Sequence, residues 1–163
     1  MLTEHVKAPR IRYSFECYDK DGKLKWKDYF DNLVTSQGKN YILATGAATA
    51  IAKYLGLVDG GTSPSYAAAD VMSSHGGWTE NTSYSNGTHP TITWGSASGG
   101  SMSTSAAAVF NINAAATIAG AFSCDNSTKA ATSGNLYSEG SFTGGNKTVA
   151  SGDTLNVSLT FSV

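Results

Sequence analysis

The C-terminal stretch TLNVSLTFSV (Thr154–Val163) alternates without a break. Leu155, Val157, Leu159, Phe161 and Val163 fall on one side, and Asn156, Ser158, Thr160 and Ser162 on the other. Successive side chains of an extended chain point to opposite faces, so this is a strand with one apolar and one polar face. Full burial of each large apolar side chain is worth about 1.5–3 kcal/mol, enough to fix the register. Working back from it, strands are expected at Thr91–Trp94, Val109–Ile112, Thr117–Cys124, Asn135–Phe142 and Lys147–Val149. Turns at Gly99-Gly100, Asp125-Asn126, Gly144-Gly145 and Gly152-Asp153 punctuate them. Short strands at this spacing point to a jelly roll or β-sandwich.

The front of the chain is more varied. Met1–Pro9 has no periodicity, and Pro9 turns Ala8 away from helix, so an extended arm is expected there. Ile11–Phe30 reads as a β-hairpin, with Ile11, Tyr13, Phe15 and Cys17 answered by Leu24, Trp26, Asp28 and Phe30. Asp21-Gly22 between them is the signal of a type I′ turn. The period then changes: Val34, Gly38, Tyr41 and Ile42 make a helical stripe, with Thr35 or Ser36 as the cap and Gly46 as the stop. Gly38 inside that helix implies close approach to a strand. A strand over Ala52–Val58, room for one or two helical turns in Tyr66–Ser74, and a loop over His75–Pro90 complete the front. The expected fold is mainly β, a jelly roll or β-sandwich with one short helix, an N-terminal extended arm and a β-hairpin. Residues 1–12 would be the arm and residues 13–163 a single β-sandwich domain.

Composition narrows the function classes. Charged residues make up 14% of the 163 residues, against about 25% in ordinary soluble domains, so ion-pair networks do not carry stability. Residues 1–53 hold nine Lys/Arg against six Asp/Glu, and residues 54–163 two against six. A basic front on an acidic body points to a docked protein surface rather than to nucleic acid, the alternative being a hairpin whose four lysines are simply solvated. Met1–Arg12 lacks an apolar signal core, and Tyr41–Val58 is too weakly apolar to cross a bilayer. The expectation is a soluble chain folded in a cytoplasm, with no membrane partner. Cys17 and Cys124 lie 107 positions apart without a CxxC spacing, which favours two buried thiols.

Motifs that look like chemistry fail on spacing. Asp19-Lys20-Asp21-Gly22 opens like a calcium loop, but the sixth and twelfth positions hold Leu24 and Phe30. Ser36-Gln37-Gly38-Lys39 matches S-x-x-K without its companion elements. His5, His75 and His89 include no short-spaced pair for zinc. Asp70 and Glu80 could serve glycoside hydrolysis only if folding brought their carboxyls about 5–5.5 Å apart, and nothing in the spacing does so. No metal, no cofactor and no enzymatic activity are expected. The N-x-S/T sequons at Asn81, Asn86, Asn126, Asn146 and Asn156 follow from Asn, Ser and Thr richness. Trp26, Trp78 and Trp94 read as core or interface anchors.

Three segments together carry a family resemblance. They are YDKDGKLKWKDYFDNLVTSQGKNYIL (Tyr18–Leu43), GLVDGG with AAADVMSSHGGWTENTSYS (within Gly56–Ser85), and GAFSCDNSTKAATSGNLYSEGSFTGGNKTVASGDTLNVSLT (Gly120–Thr160). Their order and phrasing resemble the capsid decoration, or cement, proteins of short-tailed bacteriophages, which are built as jelly rolls. The resemblance implies a virion structural protein, made in the host cytoplasm, that sits on the outer capsid surface and binds across major capsid protein subunits. Self-association is expected, as a dimer in preference to a trimer. Arg10, Arg12, Lys23, Lys25 and Trp78 are the candidate capsid contacts. The alternative is a host-receptor or glycan-binding head or tail fibre module, with Trp78, Tyr84 and Trp94 stacking on sugars.

Overall fold

The alternating C-terminal segment forms the spine of the larger core. In the computed structural model, residues 10–38, 52–61, 63–98 and 101–162 are described, and all structural statements concern them. The strands are β1 (Arg10–Tyr18), β2 (Leu24–Asp31), β3 (Leu33–Val34), β4 (Tyr54–Asp59), β5 (Glu80–Asn81) and β6 (Thr93–Trp94). They continue with β7 (Ser101–Ala106), β8 (Ala108–Asn111), β9 (Ala116–Cys124), β10 (Leu136–Ser141), β11 (Lys147–Val149) and β12 (Thr154–Ser162). β12 pairs antiparallel with β1 along its whole length, from Arg10 opposite Ser162 to Tyr18 opposite Thr154. The two alternations are in phase. Ile11, Tyr13, Phe15 and Cys17 share a face with Phe161, Leu159, Val157 and Leu155, all under 8% exposed.

Two antiparallel sheets result. Sheet A runs β2-β1-β12-β7-β6, with β8 also on β12; sheet B runs β3-β10-β9-β4-β5, with β11 on β9. The mainly β sandwich expected from the pattern is what the chain forms. Between the sheets, the residues of β1 and β12 meet Phe30, Leu55, Leu57, Phe110, Ile118 and Tyr137. Tyr13 stacks on Phe30, with ring centroids 4.9 Å apart, and Phe142 meets Phe15 edge-on at 4.7 Å. Cys17 and Cys124 are buried free thiols.

Sheet B has a second apolar layer on its outer face. Val58, Ala119, Phe122, Cys124 and Leu136 pack there under Met72 and Trp78. Residues 63–79 cross this face as an irregular strap. Backbone bonds tie it down, Asp59 N to Thr79 O at 2.9 Å and Ser36 N to Ala68 O at 2.9 Å, and Ser65 N to Gly77 O at 2.9 Å closes it on itself. A Cβ on Gly56 would sit 2.1 Å from the Phe122 ring, so glycine there gives the ring its place on the sheet.

Several expectations need correction. Arg10–Arg12, assigned to the arm, are the first three residues of β1, and Met1–Pro9 lies outside the described residues. The hairpin turn is not type I′. Asp19 O accepts from Gly22 N at 3.0 Å, Asp19 N donates to Lys23 O at 2.9 Å, and in this turn only Gly22 (φ 79°) is left-handed. The Asp19 carboxylate accepts the amides of Asp21 and Lys23, which stabilises this three-residue loop without a second left-handed residue. Tyr66–Ser74 forms turns, not helix, because Asp70 binds back to Ala67 and Val71 pairs with Ser74. β7 went unread because Ser101–Ala106 holds few large apolar residues; strand β12 recruits it.

The helix begins where expected. Thr35 Oγ1 accepts from Gly38 N at 3.0 Å and residues 36–38 are helical, while the remainder of the expected Thr35–Gly46 helix lies outside the described residues. A Cβ on Gly38 would lie 2.7 Å from Tyr137 O, the close approach to a strand inferred from that glycine.

Candidate functional site

Among the described residues, none packs over the outer face of sheet A. Because β1, β2 and β12 keep their period, their outward positions form rows across the sheet. Ser158, Ser14 and Tyr29 make one row, and Thr160, Arg12 and Asp31 the next. β7 extends the rows with hydroxyl pairs: Ser103 Oγ to Thr160 Oγ1 at 2.9 Å, and Ser101 Oγ to Ser162 Oγ at 3.1 Å. Tyr29 is 56% exposed, and Leu24 and Val109 are the other large apolar groups on or beside this face.

The five candidate contact residues do not stay together. Arg12 grips Asp31 with both arms of its fork, at 2.8 and 2.9 Å, and its guanidinium lies 4.9 Å above the Tyr29 ring. Arg10 reaches the same carboxylate at 3.5 Å. The hydrogen bond from Arg12 holds the Asp31 carboxyl below its ordinary range. Both arginines therefore belong to an Asp31-centred cluster rather than presenting free forks. Lys23 is exposed at the hairpin tip. Lys25, itself exposed, pairs with the buried carboxylate of Asp153. Trp78 is 4% exposed on the other sheet, with Nε1 donating to Glu139 Oε2 at 2.8 Å, so it cannot serve as a surface contact. The sugar-stacking aromatics fare similarly: Tyr84 is 1% exposed, and the half-buried Trp94 donates Nε1 to Ala52 O at 2.9 Å.

The sequence reading missed Tyr29 and the hydroxyl rows. Their signal was the polar phase of the same alternation, Asn156, Ser158, Thr160 and Ser162, which was read only as the side away from the core.

Two buried carboxylates attract attention, and folding separates the acids considered as a pair. Glu80 goes to His89: Nε2 lies 2.8 Å from Glu80 Oε1, and Nδ1 lies 2.8 Å from Asn126 O. With acceptors on both ring nitrogens, both must carry protons, so His89 is an imidazolium. Burial opposes that charge, but hydrogen bonds to Cys124, Glu80 and the Asn126 carbonyl outweigh it and raise the pKa to about 10. Glu80 Oε2 also accepts from the amide of Ala130, a non-glycine residue at φ 55°, and so holds strained backbone in place. Cys124, His89 and Glu80 stand in the order of nucleophile, base and orienting group, with Sγ 3.8 Å from Nδ1. The imidazole has no lone pair left to take a thiol proton, so the arrangement works as a staple between loops.

Glu139 on β10 is the second case. It is fully buried; Oε2 accepts from Trp78, and Oε1 has no donor. Burial, then the neighbouring Asp70 carboxyl, raise its pKa to about 8. His75 stacks on Trp78 at 3.9 Å and its Nδ1 faces Trp78 O. Among the described residues no group of three His, Cys, Asp or Glu is placed to hold a metal ion.

No family model, curated protein or solved structure matches the chain.

Proposed function

We propose that the chain is a virion structural protein of a bacteriophage that decorates the capsid and binds across major capsid protein subunits through the outer face of sheet A. The observation that carries this reading is the contrast in cover: among the described residues a strap packs on the outer face of sheet B and none packs over that of sheet A. That face spans β2, β1, β12 and β7, and a stable interface buries about 1,200–2,000 Å². Its mixed rows of hydroxyls, Tyr29, Arg12, Asp31 and Lys27 offer hydrogen bonds and a cationic edge without an apolar patch that would aggregate. The resemblance of the three sequence segments to cement proteins supplies the capsid as partner. Residues 1–9 precede β1 at an end of this face and would extend the contact. A dimer would let one unit grip two coat subunits across a local symmetry axis.

The test is binding of purified protein to undecorated shells of the phage that encodes it. Tyr29→Ala and Lys27→Glu, both outward on β2, should weaken decoration while leaving the fold intact, and removal of residues 1–9 should weaken it further. Unchanged decoration by the β2 variants would remove sheet A from the contact. Shells that resist heat equally well with and without the protein would end the cement reading.

A further inference from the structure

We propose that residues 63–79 are a strap clamped onto the outer face of sheet B by a proton shared between Glu139 and Asp70, and that losing this proton releases the strap. The geometry carries it. Glu139 is 0% exposed, and its Oε2 is satisfied by Trp78 Nε1 at 2.8 Å. Its Oε1 has no hydrogen-bond partner among the described residues, and the Asp70 carboxyl and Ala67 amide of the strap lie beside the group. Two carboxylate oxygens cannot satisfy each other, whereas a carboxylic acid donating to a carboxylate satisfies both. One proton held between the two carboxyls therefore joins strap to sheet directly.

The surroundings leave no other described charge to do this work. On β10 the neighbours of Glu139 across the sheet are Phe122 and Leu33, both apolar. From the strap come Asp70, Trp78 and Tyr66, whose hydroxyl bonds Ser141 Oγ at 2.6 Å; His75 is screened from Glu139 by the Trp78 ring it stacks on. Asp70 itself organises the strap, accepting from Ala67 N at 3.0 Å. Once Glu139 ionises, two like charges face each other in an apolar layer, and the relief available is for the strap to lift and admit water.

The sign follows from linkage. With the strap closed, Glu139 holds its proton up to about pH 8, against an ordinary value of 4.5 when open. Closure is therefore favoured fully below about 4.5, weakens about tenfold per pH unit up to 8, and levels off above it.

Hydrogen exchange of the whole protein, corrected for the intrinsic pH dependence of amide exchange, reads this directly. The amides of Ser65, Val71 and Ser74 are hydrogen-bonded only within the strap. Their protection should be lower than that of β12 amides, fall about tenfold per unit from pH 5 to 8, and flatten above. Glu139→Gln should abolish the slope. Asp70→Asn, a change on the strap side that keeps a polar partner, should move the flattening to lower pH and serves if Glu139→Gln does not fold. A wild-type strap with no slope, a slope that survives Glu139→Gln, a flattening point unmoved by Asp70→Asn, or strap protection equal to that of β12 would each overturn the proposal.

Discussion

Sheets A and B share one interior yet differ on their outer faces. On sheet A the outward residues are Ser14, Tyr29, Ser158 and Thr160 among charged neighbours, exposed or half-exposed. On sheet B they are Val58, Ala119, Phe122, Cys124 and Leu136, and the strap covers them together with His89 and Ala131. The strands record the difference. β12 alternates, whereas β9 is buried at every position from Ile118 to Cys124. A sheet with polar residues in its second phase can stand in solvent; one apolar in both phases must acquire a cover. The lesson is that the strap is part of the fold, and the open face is the part left for a partner.

The largest effect should come from breaking the shared interior. Leu159→Asp places an unpaired charge at a position 1% exposed, where the effective penalty is several kcal/mol, and should abolish soluble expression. Ser158→Asp, one residue away on the open face, should shift the urea midpoint by no more than about 0.5 kcal/mol equivalent. Equal behaviour of the two would show the register of β12 to be wrong. Next comes Phe122→Ala on the outer face of sheet B. If the strap makes a true second core, this costs about 3–5 kcal/mol in chemical denaturation, as a buried Phe should. A cost near that of a surface change would reduce the strap to a loose loop.

The pH dependence of global stability is smaller but distinctive. His89 has its pKa raised to about 10 from 6.5, so its contribution is complete below 6.5 and is lost as pH climbs to 10. Glu139, raised to about 8 from 4.5, adds a loss of the same sign between those values. Urea midpoints should therefore decline from pH 5 to pH 10. Glu139→Gln should flatten the lower part of the decline and His89→Gln the upper part. Asp31, held low by Arg12, acts oppositely and only in acid, where stability is lost as pH falls through its depressed value. The smallest change in stability should come from Arg12→Ala, because its ion pair with Asp31 is solvent-exposed and screened. The same variant frees Tyr29 and Asp31, so its effect on decoration should exceed its effect on the melting temperature.

The sequence by itself determined the β class and the inward face of the last strand, because a period of two is local and needs no partner to be read. It also placed the hairpin strands, a cap at Thr35 or Ser36 and the significance of Gly38, each a matter of neighbours within a few residues. The turn type escaped because Asp19 caps it with a side chain from outside the Asp21-Gly22 pair. Tertiary structure alone decided which acids meet: Asp70 finds Glu139, 69 positions away, and Glu80 finds His89. It also decided that Trp78 turns inward while Tyr29 stays out, and that Lys25 is tied to the buried Asp153. Burial, hydrogen-bond supply and the reach of the strap are properties of the assembled sheets, and they set the protonation of Glu139 and His89.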